Sequence, residues 1–599
     1  MGSITGRHEK SPTESAPGFR LRDVGSWGGP NCLRCCAPYS VTMRLSGIGV
    51  SPGLAQGRVV VVHHDAVELP ATEPVEADPD EVQRLIVATL EDVARGMEQR
   101  AESVAEPDSA DVLRATAMIA RDPAISDEVG RQLHAGKGRL HALAGAIDHF
   151  AQMLSSLGGY MAERVADLHD VHRRAHARLL GRPEPGLPEL TEPAVIVATE
   201  LAPADTVGLD SDMVLAVVTE QGGPTSHTAI LASQLGIPAV VQCSGILDVD
   251  ATFLAVDGTV GQVAVDPNHD DTDEWARKGE RRAALEQQDG GPGHTKDGRP
   301  VALLANLGTV ADAMAAGRSD VEGTGLFRSE FLYLGRQTAP SVEEQTDTYL
   351  RIFQALQGRK VVIRTLDSGA DKPLPFVPTS IDENPALGMR GMRLYGVMPR
   401  IITDQLTAIA QAARITRTDV WVMAPMVSTP SEAAWFYELA HSVGIPHVGA
   451  MIEVPSAALQ ANHVLEACDF ASLGTNDLSQ YLFAADRLNG GLADLLDAWQ
   501  PALWQLTKLA ADAGTAAGKP IGMCGEACGD PLLALVAVGA GVRSLSMALP
   551  RVPLVRASLA RHTVADCEEM LEAVLATHSP TAARRAVHAL VHPDLKQVL

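Results

Sequence analysis

The stretch His447 to Asp477, HVGAMIEVPSAALQANHVLEACDFASLGTND, decides the reading of the fold. Two apolar runs, 447–454 and 470–475, are separated by a segment of helix length. Each run closes on an acid, Glu453 in MIEVPSA and Asp477 in SLGTND. Continuous apolar runs of this length read as parallel strands buried on both faces. Further runs follow on either side of this stretch, at 301–308, 323–328, 360–366 and 420–427 before it and at 520–524 and 544–549 after it. Helix-length segments fill most of the intervals. Eight β/α units between residues 300 and 560 predict a (β/α)8 TIM barrel, with a doubly wound sheet as the competing arrangement. Polar residues gather where the runs end: Arg328 and Glu330, Arg364 and Asp367, Glu453, Asn476 and Asp477, Cys524 and Glu526. That placement favours the barrel, whose chemistry sits at the C-terminal ends of its strands.

Upstream the pattern changes. Residues 1–42 mix Gly, Pro, Ser and Arg without periodicity and read as a disordered extension, so Met43 is a candidate start of the organised chain. Cys32, Cys35 and Cys36 form a CxxCC cluster there, but no second pair of zinc ligands follows at a useful distance. Val82, Leu85, Ile86, Leu90, Val93 and Met97 recur at helical spacing, and residues 80–181 read as a helical block ending at Gly181, Pro183 and Pro185. Short apolar runs at 194–199, 213–218, 238–242 and 253–256 build a small α/β unit from 43–79 and 182–266, into which the helical block is inserted. Charged and then Gly-rich residues 267–299 read as a linker, and 561–599 as a C-terminal helical tail.

Composition narrows the function. A hydrophobic content of 46% allows several cores, while a net charge of −25 disfavours a nucleic-acid partner or a polybasic membrane contact. No apolar run reaches the roughly 18 residues of a span, and no signal peptide is visible. Eight Cys in so long a chain are too few for a disulfide scaffold, so a cytoplasmic protein with reduced thiols is expected.

Three constellations carry candidate chemistry. In Gly222-Gly223-Pro224-Thr225-Ser226-His227-Thr228-Ala229-Ile230 the glycines permit a tight turn, and Thr225 and Ser226 can cap the helix that follows. A His at a helix N-terminus lies where an anion such as a phosphoryl group is favoured; against this, one of 19 His can simply cap or pack. Glu453 and Asp477 share the expected barrel mouth, and two carboxylates completed by substrate oxygens suit Mg²⁺. Arg328, Arg364, Lys372, Arg390, Arg393 and Arg487 supply cations in the same loops, as a dianionic phosphate requires. Cys524, in Gly522-Met523-Cys524-Gly525-Glu526, is either a buried small hydrophobe or an acid poised beside that metal site.

Taken together these segments resemble the enzyme I family, the phosphoenolpyruvate-protein phosphotransferases of the bacterial sugar phosphotransferase system. The resemblance runs from about Ser46 to about Leu559. It is carried by GIGVSPG, AERVADLHDV, GGPTSHTAI, GTGLFRSEFLYLGR, VVIRTLDSGADK, ENPALGMRGMR, MIEVPSA, SLGTNDLSQYLFAADR and GMCGEACGD. It implies a swivelling phosphohistidine domain with an inserted helical subdomain, followed by the barrel. By the same resemblance His227 becomes phosphorylated. Arg328, Arg364, Lys372, Arg390, Asn476, Asp477 and Arg487 bind phosphoenolpyruvate, Glu453 and Asp477 hold Mg²⁺, and Cys524 protonates the enol. The implied partners are the histidine phosphocarrier protein HPr, docked on the helical block, and a second copy of the chain in a barrel-mediated homodimer.

The sequence departs from the family pattern at Pro224, where Arg is usual, at Leu231-Ala232-Ser233 in place of Met-Ala-Arg, and mildly at Ser329 and Ala370. A pyruvate phosphate dikinase or phosphoenolpyruvate synthase would need an ATP-grasp domain, for which the chain has no room. A nitrogen-regulatory paralogue would need a sensory domain larger than residues 1–42. The remaining alternative, a degenerate non-catalytic homologue, is opposed by the joint presence of His227, Glu453, Asp477 and Cys524.

Overall fold

Val59-Val60-Val61-Val62 and Ala194-Val195-Ile196-Val197-Ala198 are β-branched runs far apart in sequence, and they pair in parallel, Arg58 opposite Ala194 and Val62 opposite Ala198. The computed structural model that shows this describes residues 43–599, apart from 52, 63–68, 72, 76–77, 104–106, 158, 183–185, 188–189, 202–211, 223–226, 260, 334–335, 369–373, 375, 378–383 and 488–489. The 1–42 extension with its cysteine cluster, Pro224, Ala370 and Lys372 therefore lie outside the described residues, and His227 and Ser233 are described by backbone alone.

The first sheet is formed by β1 (Met43–Ser46), β2 (Ile48–Ser51), β3 (Leu54–Val62), β4 (Ala194–Ala198), β5 (Val214–Thr219), β6 (Ala239–Val241), β7 (Phe253–Asp257) and β8 (Gln262–Val265). Their order is β1-β8-β7-β3-β4-β5-β6-β2. The chain leaves this sheet after β3 and returns in β4. Between them lie α1 (Pro79–Ser103), α2 (Pro107–Ala120), α3 (Pro123–His134), α4 (Arg139–Leu157) and α5 (Gly159–Leu179). These helices have a core of their own, with Ile86, Val93, Val129, Leu143, Ile147 and Val171 buried together. The helical block is thus an insertion between two adjacent, hydrogen-bonded strands. After β5, the Gly-Gly-Pro-Thr-Ser stretch leads into α6 (His227–Leu235), whose first residue is His227.

The charged stretch that follows carries α7 (His269–Gln288), opened by the Asn268 side chain accepting from Asp271 N. Beyond it, β9 (Ala302–Leu307), β10 (Gly323–Arg328), β11 (Lys360–Arg364), β12 (Val420–Ala424), β13 (His447–Ile452), β14 (Phe470–Leu473), β15 (Ile521–Met523) and β16 (Ser544–Met547) pair in parallel and close, β16 on β9 and β9 on β10. Every run read as a barrel strand is one. Leu326, Val362, Met423 and Met451 pack with Cys524 inside the barrel, and the strands' outward faces join the surrounding helices in one large core. Three helices, Val564–Leu575, Pro580–Leu590 and Pro593–Lys596, follow the barrel. Among the described residues no helix is long and apolar enough to cross a membrane.

Candidate active site

Five of the eight strands lead into functional side chains at the C-terminal mouth of the barrel. β13 runs into Glu453, which is fully buried, and Pro455 then starts a short helix at Pro455–Leu459. β14 ends at Leu473, Gly474 follows as the N-cap, and the helix Thr475–Phe483 carries Asn476 and Asp477 in its first turn, where a carboxylate is favoured. Gly474 must lack a side chain, because a Cβ there would lie 2.7 Å from Glu453 Oε2. β15 leads to Cys524, β10 to Arg328 and β11 to Arg364.

Arg390 sits at the centre of the charge network. Its Nε and Nη2 donate to the two oxygens of Asp367 at 3.2 and 2.6 Å, and its Nη1 donates to Asp477 Oδ1 and to Tyr481 Oη, each at 3.1 Å. Arg364 Nη2 donates to Glu330 Oε1 at 2.9 Å and its Nη1 lies 3.6 Å from Asp367, while its buried Nε has no hydrogen-bond partner. Burial works against both charges, but the carboxylates around them outweigh it and hold both guanidinium groups as cations. Arg487 lies 3.5 Å from Asp477 Oδ2. Arg328 differs from these three: among the described residues it makes no hydrogen bond or ion pair, and burial and the neighbouring Arg364 depress its pKa. It is a half-buried cation at the end of β10, with Glu526 and Glu330 acting on it only from beyond ion-pair distance.

Glu453 is the complementary case. Its Oε1 accepts from Met426 N at 2.6 Å, while its Oε2 is buried without a hydrogen-bond partner. Met426 holds φ +55°, a left-handed conformation uncommon outside glycine, and so presents its N–H to that oxygen. Burial, with Asp477 and Asp367 close by, pushes the Glu453 carboxyl well above the usual carboxylate range. A buried carboxylate oxygen lacking a partner, beside a second carboxylate, suits a hard divalent cation. No group of three or more His, Cys, Asp or Glu spaced for a metal occurs among the described residues. Two carboxylates alone match Mg²⁺, which keeps water and phosphate oxygens in its remaining positions.

Cys524 is 2% exposed, and burial pushes its thiol up to about 11, so it is an acid at neutral pH rather than a nucleophile. Asn476 Oδ1 accepts from Glu526 N at 3.1 Å, joining two strand-end loops.

The structure therefore brings Arg328, Arg364, Arg390, Arg487, Asn476, Asp477, Glu453 and Cys524 to one mouth. Arg393 is turned to other use: its Nη1 donates to the carbonyls of Leu387 and Gly388 at 2.6 and 2.8 Å and holds its own loop. Glu330 and Asp367, read from sequence only as polar strand-end residues, are the counter-charges that fix Arg364 and Arg390. No motif in the sequence marks Tyr481; four residues beyond Asp477 on one helix, it shares that face and donates to Ala386 O.

Known proteins resemble the chain along most of its length. Residues 282–564 match the family model described as PEP-utilising enzyme, PEP-binding domain; 190–261 match the mobile domain and 46–164 the N-terminal domain of such enzymes. A phosphoenolpyruvate-protein phosphotransferase of Streptomyces coelicolor is 45% identical, over 91% of this chain and 99% of its own length. Proteins of the same description from Haloferax volcanii and Bacillus subtilis are 36% and 33% identical, each over 89% of this chain and 96% of their own length.

Proposed function

The chain belongs to the phosphoenolpyruvate-protein phosphotransferase family, and on that premise we propose that it transfers the phosphoryl group of phosphoenolpyruvate to its own His227 and then to the histidine phosphocarrier HPr, releasing pyruvate. The observation that carries this reading is the meeting, at one barrel mouth, of a half-buried Arg328 without an ion pair among the described residues, a buried Glu453 oxygen without a hydrogen-bond partner and the buried thiol of Cys524. A substrate with a dianionic phosphate and a carbon awaiting a proton answers all three.

Arg328, the Nε of Arg364 and Arg487 bind the phosphate, Lys372 is assigned to the same substrate by the family resemblance alone, and Arg390 and Asn476 hold the surrounding loops in register. Glu453 and Asp477 are the residues that would hold Mg²⁺, which when bound neutralises charge on the phosphoryl group. His227 attacks phosphorus in line; the bond to the enol oxygen breaks, and that oxygen leaves with the electron pair. Cys524 gives its proton to the methylene carbon of the enolate, which becomes pyruvate. Residues 43–79 and 182–266 form the domain that carries the phosphohistidine from barrel to carrier, with the 80–181 helices as the carrier's dock and 300–560 as the barrel and dimer domain. The cytoplasm is the compartment that fits.

Incubation with phosphoenolpyruvate and Mg²⁺ tests the proposal: pyruvate should form in step with acid-labile phosphate on His227. Pyruvate without phosphoprotein, or neither product, would refute it. Gly474→Ala tests the metal site. The added methyl presses on Glu453 Oε2 and should raise the Mg²⁺ concentration required by roughly 10- to 100-fold, as disturbing the groups that orient a metal ligand typically does. An unaltered Mg²⁺ titration would place the metal away from Glu453.

A further inference from the structure

The inner wall of the barrel is chemically divided. β10 to β13 contribute Leu326, Val362, Met423 and Met451, an apolar half. A cavity of about 20 Å³ has Val362, Trp421 and Phe470 on one side and Ser472 of β14, Gly522 of β15, and Ser544 and Ser546 of β16 on the other. Ser472 pairs with Gly522 and Gly522 with Ser544, so hydroxyls and a bare backbone lie side by side across three strands. Barrel interiors are ordinarily filled by bulky branched side chains. Three hydroxyls on one side of a cavity with room for a water molecule, which needs about 10–15 Å³, are a departure that packing does not explain.

Two hydrogen-bonded paths lead from this cavity to Cys524. Ser472 Oγ donates to Cys524 Sγ at 3.4 Å, while the thiol itself donates to Leu473 O at 3.6 Å. Ser546 Oγ donates to Asn306 Oδ1 at 2.7 Å, and Asn306 Nδ2 donates to Cys524 O at 3.2 Å. The cavity lies toward the N-terminal ends of the strands, away from the mouth. At its rim the Lys360 ammonium sits 3.3 Å from the Trp421 ring centroid, and burial lowers that lysine to about 8, where it exchanges protons near neutrality.

We propose that this cavity supplies protons to Cys524, with Ser472 as the positioning residue that passes them. The inference rests on the reading of Cys524 as proton donor. When the Cys524 S–H bond breaks and its proton forms the new C–H bond of pyruvate, a thiolate remains. Ser472 already aims its O–H at that sulfur; it gives the proton to sulfur and takes one from water in the cavity, which is restored from bulk solvent at the barrel floor. The acid is recharged without opening the mouth, where phosphoenolpyruvate and its cations sit.

The test compares two exchange reactions in deuterated solvent with unlabelled phosphoenolpyruvate, Mg²⁺ and carbon-labelled pyruvate. Passage of carbon label into phosphoenolpyruvate reports phosphoryl transfer and protonation together; deuterium entering the pyruvate methyl group also requires the sulfur to trade its proton with solvent. In Ser472→Ala the ratio of deuterium entry to carbon exchange should fall by about tenfold or more. Gly522→Ala should lower the same ratio with every hydroxyl retained, because its methyl would lie 2.7 Å from Ser544 Oγ and 3.7 Å from Ser472 Oγ, inside the cavity. Packing damage alone lowers both exchanges together. An unchanged ratio in a folded variant of either kind overturns the relay. Cys524→Ser separates the two readings: wild-type carbon exchange in that variant defeats the assignment of Cys524, whereas a slowed Cys524→Ser beside an unchanged Ser472→Ala ratio defeats only the relay.

Discussion

His227→Ala is expected to abolish phosphoryl transfer, lowering incorporation of phosphate from phosphoenolpyruvate by at least about 10⁴-fold, while phosphoenolpyruvate binding persists. A missing nucleophile cannot be replaced by neighbouring hydroxyls, whose attack on a phosphoryl group would need a base of its own. His227 opens α6, which packs in the first sheet's core: Ala232 is buried there with Ile196, Val217 and Ala239. The residues proposed to hold the substrate stand at the ends of barrel strands and on the loops and helices that follow them, over a separate core. Binding and transfer should therefore part cleanly in this variant. Calorimetric titration with phosphoenolpyruvate gives the first quantity and protein-bound acid-labile phosphate the second. Acid-labile phosphate persisting on the variant would move the nucleophile elsewhere in the chain.

The barrel was legible because parallel strands buried on both faces leave an unbroken apolar run, and because catalytic loops punctuate those runs with Arg, Asp, Glu and Cys. β1, β2 and β8 were not read. They are four-residue strands, and β1 and β2 pair with partners far away in sequence, Met43 with Val265 and Ile48 with Val241, so no local period marks them. The charge of the 267–299 stretch reads as a linker and hides a helix: most of it is α7, with Arg282 and Leu285 as its buried residues. At the mouth, residue types could be read but not their pairing. Six cations suggested six phosphate donors. In the folded chain Asp367 and Glu330 take up Arg390 and Arg364, and only tertiary geometry assigns those partners. Ser472 is invisible for a different reason: a small residue within an apolar strand reads as packing, and its meaning comes from the sulfur across the sheet.

Arg390→Leu should cost the barrel about 3–5 kcal/mol of stability, the usual consequence of removing one partner from a buried ion pair. Arg390 is 3% exposed, and it neutralises Asp367 and Asp477 at once, next to the fully buried Glu453. Leucine fills much of the volume but leaves those carboxylates to repel one another in a medium that screens poorly. Arg364, at 3.6 Å from Asp367, and Arg487, at 3.5 Å from Asp477, soften the loss without replacing the bidentate contact. The pH dependence follows in sign. Without the guanidinium, which opposes the rise of the neighbouring Glu453 carboxyl, that group is pushed further above its unfolded value, so the folded variant binds more protons than the unfolded chain, and stability falls as pH rises. The deficit relative to wild type should accordingly be larger at alkaline than at mildly acidic pH. Adding Asp367→Asn removes one of the stranded charges and should restore part of the stability, whereas Arg390→Lys keeps the charge and loses the fork. Denaturant unfolding followed through the barrel's buried Trp499 and Trp504 measures each case. A loss below about 1 kcal/mol, or a deficit that grows as pH falls, would mean that these carboxylates do not depend on Arg390 for their charge.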